Sequence, residues 1–129
     1  MDSQTRSGSD LAAMSRAMVA LHKEQFGKGP TSSHSHFAGR NTLVCVLEGG
    51  LLAAEKKMVE LGEATRVRET RVAFQAATES EFVNAVEQIF YRKVRAFSSA
   101  VDPKADVVYE VFSLEPAENE EDTDDLADE

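Results

Sequence analysis

A chain of 129 residues with one cysteine, a formal net charge of −9 and no apolar run longer than Leu43–Leu47 fits a single globular domain burying roughly 65% of its unfolded surface. Those features argue against a membrane helix, which needs about 20 apolar residues, and against an internal disulfide. No charged start followed by an apolar core precedes residue 20, so the expectation is a soluble, cytoplasmic protein.

The acidity is local. Residues 1–114 hold 14 acidic and 14 basic side chains, whereas residues 115–129 hold nine acidic ones and no basic one. Such a run, with Leu126 its only large apolar residue, cannot offset the entropy of ordering itself. The expected organisation is a flexible start over residues 1–9, one domain over 10–114 and a disordered acidic tail over 115–129. The tail reads as a solubility segment, with a docking arm for a basic partner as the alternative.

The first helix is expected from about Leu11 to Phe26, with Ser9 or Asp10 as its cap. Leu11, Met14, Met18, Leu21 and Phe26 then fall near one face. Gly27 suits a left-handed stop, and Gly29-Pro30 prevents continuation. A weak strand, Thr31–Ala38, and a strong one, Thr42–Glu48, flank a turn at Gly39-Arg40-Asn41. Leu43, Cys45 and Leu47 alternate with Val44 and Val46, so the second strand is apolar on both faces and reads as central.

A helical pattern starts at Leu51 and persists to about Lys93. As one helix it would be about 64 Å long at about 1.5 Å per residue, against a radius of gyration near 13 Å for a domain of this size. Gly62 is the expected break. The second segment, Ala64 to Arg92, is taken as continuous, although Thr78 and Glu81 have the spacing of a capping box. Val94–Val101 and Val107–Leu114 follow as a hairpin around Asp102-Pro103-Lys104-Ala105-Asp106. The order α-β-β-α-α-β-β predicts an α+β fold: a four-stranded antiparallel sheet from two hairpins, with helices packed on one face.

No catalytic constellation stands out, and neither a cofactor nor a metal is expected. His34 and His36 share one side of a strand, and with Cys45 a three-ligand site can be drawn. No carboxylate lies nearby before Glu48 and no paired ligand motif is present, so solvent-facing histidines are the simpler reading. Cys45, in the most apolar run, reads as a core thiol. Phe26-Gly27-Lys28-Gly29-Pro30 lacks phosphate-loop spacing and follows a helix instead of preceding one. Arg66, Arg68 and Arg71 form the one basic cluster; with Arg40 they are the candidates for an anion contact, against a solvated helix end with Glu63 and Glu69 as partners. Nucleic acid fits poorly with a neutral body and an acidic tail.

The arrangement Gly27-x-Gly29-Pro30, Leu43–Leu47, Leu51-Leu52-x-Ala54-Glu55-Lys56 and Arg68-x-x-Arg71 resembles the MpsC family over roughly residues 10–115. These are small bacterial proteins named for a sodium-translocating, membrane-potential-generating system. The resemblance implies a soluble protein associated with a membrane transport system for cations or inorganic carbon, and it supplies no catalytic residues. The resulting expectation is a non-enzymatic accessory or regulatory protein, a homodimer with a transporter subunit as a further partner. Val44, Val46, Val108 and Phe112 are the candidates for the dimer surface. The alternative is a sensor of small anions or metabolites built on the arginines.

Overall fold

A computed structural model describes residues 3–116, with side chains from residue 8 onward. Eight elements follow one another: α1 (Ser3–Phe26), β1 (Ser32–Phe37), β2 (Thr42–Glu48), α2 (Ala53–Glu60), α3 (Ala64–Ala77), α4 (Glu79–Phe90), β3 (Val94–Asp102) and β4 (Val107–Leu114). All strand pairs are antiparallel, in the order β1-β2-β4-β3. The two expected hairpins are therefore present, joined along β2 and β4, and β2 is central as its two apolar faces require.

Two helix boundaries differ from expectation. α1 begins at Ser3 instead of Leu11, so residues 3–9, expected to be loose, are helical. The segment 64–92 is not continuous. It breaks at Thr78 into α3 and α4, although no glycine or proline marks the place. The cause is tertiary: Thr78 Oγ1 donates to the Phe74 carbonyl at 2.9 Å and accepts from Gln25 Nε2 at 2.6 Å. α3 can then lie against β3 while α4 turns to pack on α1. The acidic tail beyond Pro116 lies outside the described residues.

Glycine decides two junctions. Gly27, at φ 79°, ends α1, its amide donating to the Lys23 carbonyl at 2.8 Å. Gly49, at φ 75°, follows β2 where a Cβ would stand 2.2 Å from Thr31 Oγ1, so the chain there needs both the left-handed backbone and the empty space.

The core lies between the helices and one face of the sheet. Met14 and Met18 from α1, Phe82 and Val86 from α4, Leu43 and Leu47 from β2, and Phe112 and Leu114 from β4 are all buried. Phe82, Phe97 and Phe112 stack across it, with ring centroids 5.6 and 4.7 Å apart.

The pleat corrects the surface expected for a dimer. Leu43 pairs with Phe112 and Leu47 with Val108, so Val108 and Phe112 face the helices and are buried at 7% and 0% exposure. Val44 pairs instead with Val111, and Val46 with Tyr109. The face away from the helices therefore carries Val44, Val46, Tyr109 and Val111. Side-chain parity, which the sequence shows within each strand but not between strands, fixes this.

Candidate functional site

The sheet register aligns an unexpected row of polar groups beneath the helices. Ser35 of β1 pairs with Cys45 of β2, Cys45 with Glu110 of β4, and Glu110 with Ser99 of β3. Ser99 Oγ donates to Glu110 Oε1 at 2.6 Å. Ser33 Oγ lies 3.4 Å from Cys45 Sγ, and the Ser15 and Ser35 hydroxyls are 2.7 Å apart, tying α1 to the edge strand. From α1, His22 places Nε2 3.6 Å from Glu110 Oε1, its ring set between Phe26 and Phe82.

Glu110 is fully buried. Its Oε2, His22 Nε2 and both amide atoms of buried Gln75 have no hydrogen-bond partner among the described residues. A cleft of about 170 Å³ lined by Val72, Gln75, Ala76, Glu79, Phe97 and Ser99 adjoins the Ser99 end of this row. Burial pushes the Cys45 thiol up against smaller opposing hydrogen bonds from Ser33 and Ser35, and the Glu110 carboxylate adds the smallest upward contribution. The thiolate is thus disfavoured. A one-residue slip of β4 would carry Glu110 to the other face, away from Ser99 and His22, so the row specifies strand pairing. One signal pointed to it: Glu110 alternates with Val108, Phe112 and Leu114, an acid in register with a core stripe.

A second polar centre joins four segments. Arg71 of α3, only 1% exposed, donates from Nε to Glu55 Oε2 at 2.8 Å and from Nη2 to the Gly50 carbonyl at 3.1 Å. Its guanidinium lies 3.7 Å from the Phe26 ring centroid. Glu55 also accepts from the Leu52 amide at 2.8 Å, bracing the start of α2. Burial alone would raise the Glu55 carboxyl; the Arg71 guanidinium and the Leu52 amide outweigh it and hold the group below its ordinary value.

The arginines expected to act together are therefore apart. Arg71 is committed to Glu55, Arg68 donates to the Val101 carbonyl at 2.9 Å, and exposed Arg66 pairs with half-buried Glu63 at 3.3 Å. Arg40 sits in the β1–β2 turn, where its carbonyl accepts from Arg92 Nη1 at 2.8 Å, at the sheet end opposite the β3–β4 loop that Arg68 approaches. His34 and His36 are exposed opposite Val46 and Val44, whereas Cys45 projects to the helix side, so the pleat separates the three residues of the drawn metal site.

A family model described as "Na+-translocating membrane potential-generating system (MpsC)" matches residues 7–116. The chain belongs to the MpsC family. No curated protein and no solved structure matches it. In this MpsC chain two of the residues that carried the resemblance, Glu55 and Arg71, meet at one joint, whereas Leu43, Cys45 and Leu47 lie in the core and Arg68 turns to the Val101 carbonyl. Gly29 packs against Val19 and Lys23, the helix opened by Ala54-Glu55-Lys56 supplies the carboxylate, and Arg71 closes the pair. That block is a brace between α1, α2 and α3.

Proposed function

We propose that this MpsC chain is a non-enzymatic accessory protein of a sodium-dependent membrane-potential system, acting on the cytoplasmic side and working as a homodimer. The observation that carries the reading is the helix-free face of the sheet. Half-buried Val44, Val46 and Val111, with Tyr109 41% exposed, form an apolar strip there between His34 and His36 of β1 and Ser98 and Ala100 of β3, and no described element covers it. Two identical faces can stack about 10 Å apart and cover each other, which makes a second copy the economical occupant. No helix among the described residues is long and apolar enough to cross a membrane, so ion passage is assigned to a separate membrane component.

Sedimentation velocity at micromolar concentration tests the pairing. A species near twice 14.1 kDa is expected, converting to monomer in Val44→Lys/Tyr109→Lys; a clean monomer for the unaltered chain refutes it. The accessory role is tested in cells lacking the chain. Their sodium-dependent membrane potential should fall, and return with the unaltered chain but not with the monomeric variant.

A further inference from the structure

The cleft of about 170 Å³ opens on the helix side of the edge strand β3, where α3 gives way to α4. Val72, Gln75, Ala76 and Glu79 have the spacing of one helical stripe and form one wall. Phe97 and Ser99, two apart on β3, form the other; they pair with Phe112 and Glu110 and therefore face the helices. The first wall differs in depth. Gln75 is 1% exposed, whereas Val72, Ala76 and Glu79 are exposed at the mouth.

Its polar atoms are unmatched, and in one sense more than the other. Both amide atoms of buried Gln75 lack a partner among the described residues, a state that costs stability until something supplies one. Ser99 Oγ gives its proton to Glu110 Oε1 at 2.6 Å, so towards any other group it only accepts. The Glu79 carboxylate, also an acceptor, has no ion pair or hydrogen bond among the described residues. Three acceptors, Gln75 Oε1, Ser99 Oγ and the Glu79 carboxylate, thus stand against one side-chain donor, Gln75 Nε2. None of the six lining residues is basic.

We propose that this cleft binds a small primary amine that also carries a hydroxyl group. A primary ammonium has three N–H donors and no acceptor, which answers the three oxygens, and the hydroxyl oxygen answers Gln75 Nε2. Glu79 at the mouth and Glu110 behind Ser99 attract a cation and repel an anion. Val72, Ala76 and Phe97 give the short carbon chain between the two groups an apolar wall. The size also selects. Pockets for drug-sized molecules measure about 300–1,000 Å³, so this one admits a ligand of a few heavy atoms. The cleft lies on the side of the sheet away from Val44 and Tyr109, so the inference does not depend on the pairing of those faces.

The probe is 4-amino-1-butanol on the full chain at neutral pH, with butane-1,4-diol and 4-hydroxybutyrate as uncharged and anionic counterparts at matched ionic strength. At about 100 times a millimolar Kd the amine should raise the thermal midpoint by about 10 °C, and the two counterparts by much less. Glu79→Gln, at an exposed position, should weaken the amine several-fold without lowering the midpoint of the ligand-free chain. Ala76→Phe should fill the cleft and abolish the shift. In proton–nitrogen NMR spectra the amine should move the Gln75 side-chain amide and the backbone amides of Phe97 and Ser99. No midpoint shift with the amine, or an equal shift with the diol, overturns the proposal and leaves the cleft to water. Unchanged affinity in Glu79→Gln also overturns it. A Gln75 side-chain amide that stays in place while other resonances move overturns it independently, by putting the amine on carboxylates elsewhere in the chain.

Discussion

Arg71→Met tests whether the Glu55–Arg71 brace holds the helical layer together. The substitution keeps most of the stem volume and removes the charge, leaving the Glu55 carboxylate beside Phe26 and the Gly50 carbonyl. Breaking a buried pair from one side costs about 3–5 kcal/mol. Glu55 keeps its Leu52 amide and 14% side-chain exposure, which places the loss at the lower end, about 3 kcal/mol. At roughly 4 °C per kcal/mol for a domain of this size, the thermal midpoint should fall by about 12 °C. Urea unfolding followed by far-ultraviolet circular dichroism reads the change, since no tryptophan reports it. The double variant Arg71→Met/Glu55→Gln should recover at least about 1 kcal/mol of the summed single losses, the coupling expected of residues in direct contact. A loss below about 1 kcal/mol for Arg71→Met, or strictly additive losses, refutes the brace.

The same brace predicts a pH dependence. Glu55 is held below its ordinary value, so its contribution is complete above the usual carboxylate range and is lost as pH falls through the lowered value; acid titration of stability should be steeper for the unaltered chain than for Glu55→Gln. Gly49→Ala should destabilise by more than about 1 kcal/mol in urea, because the methyl meets Thr31 Oγ1 and the backbone stays at positive φ. Cys45 should resist alkylation in the native state, with iodoacetamide labelling at least about 100-fold slower than in urea, since burial disfavours its thiolate. Native labelling at the unfolded rate would contradict the buried row.

Most of the fold is legible in the sequence because its breaks are chemically marked. Gly27, Gly39, Gly49 and Gly62 all take positive φ where one element ends and the next is set, and the alternation in Thr42–Glu48 and Val107–Leu114 gives those strands with their observed bounds. The break at Thr78 carries a local mark, the Thr78–Glu81 spacing, but what makes it a break and not a continuation, Gln25 and the packing of α4 on α1, is distant in sequence. The open face was half legible. Val44 and Val46 lie on it, but Val108 and Phe112 lie on the other side, since a strand's own period says which residues share a face and not which face its neighbour presents. The arginine cluster misled for a related reason: helical spacing puts Arg68 and Arg71 side by side, while only the tertiary fold shows that Arg71 turns inward to Glu55.

The dimer surface and the core lie on opposite faces of the same strands, and that separation can be measured. Val44 and Tyr109 point away from the helices, whereas Leu43 and Phe112 on the same two strands face them and are buried. Side chains on opposite faces of a sheet share no partner, so losses at the two sites should be nearly additive. Val44→Lys/Tyr109→Lys should therefore abolish the heavier sedimenting species and leave the far-ultraviolet circular dichroism of the folded chain unchanged. Phe112→Ala should cost about 3–5 kcal/mol in urea without changing the sedimenting species while the chain stays folded. If Phe112→Ala dissociates a chain that is still folded, the paired surface lies on the helix side of the sheet and not on the face that carries Val44 and Tyr109.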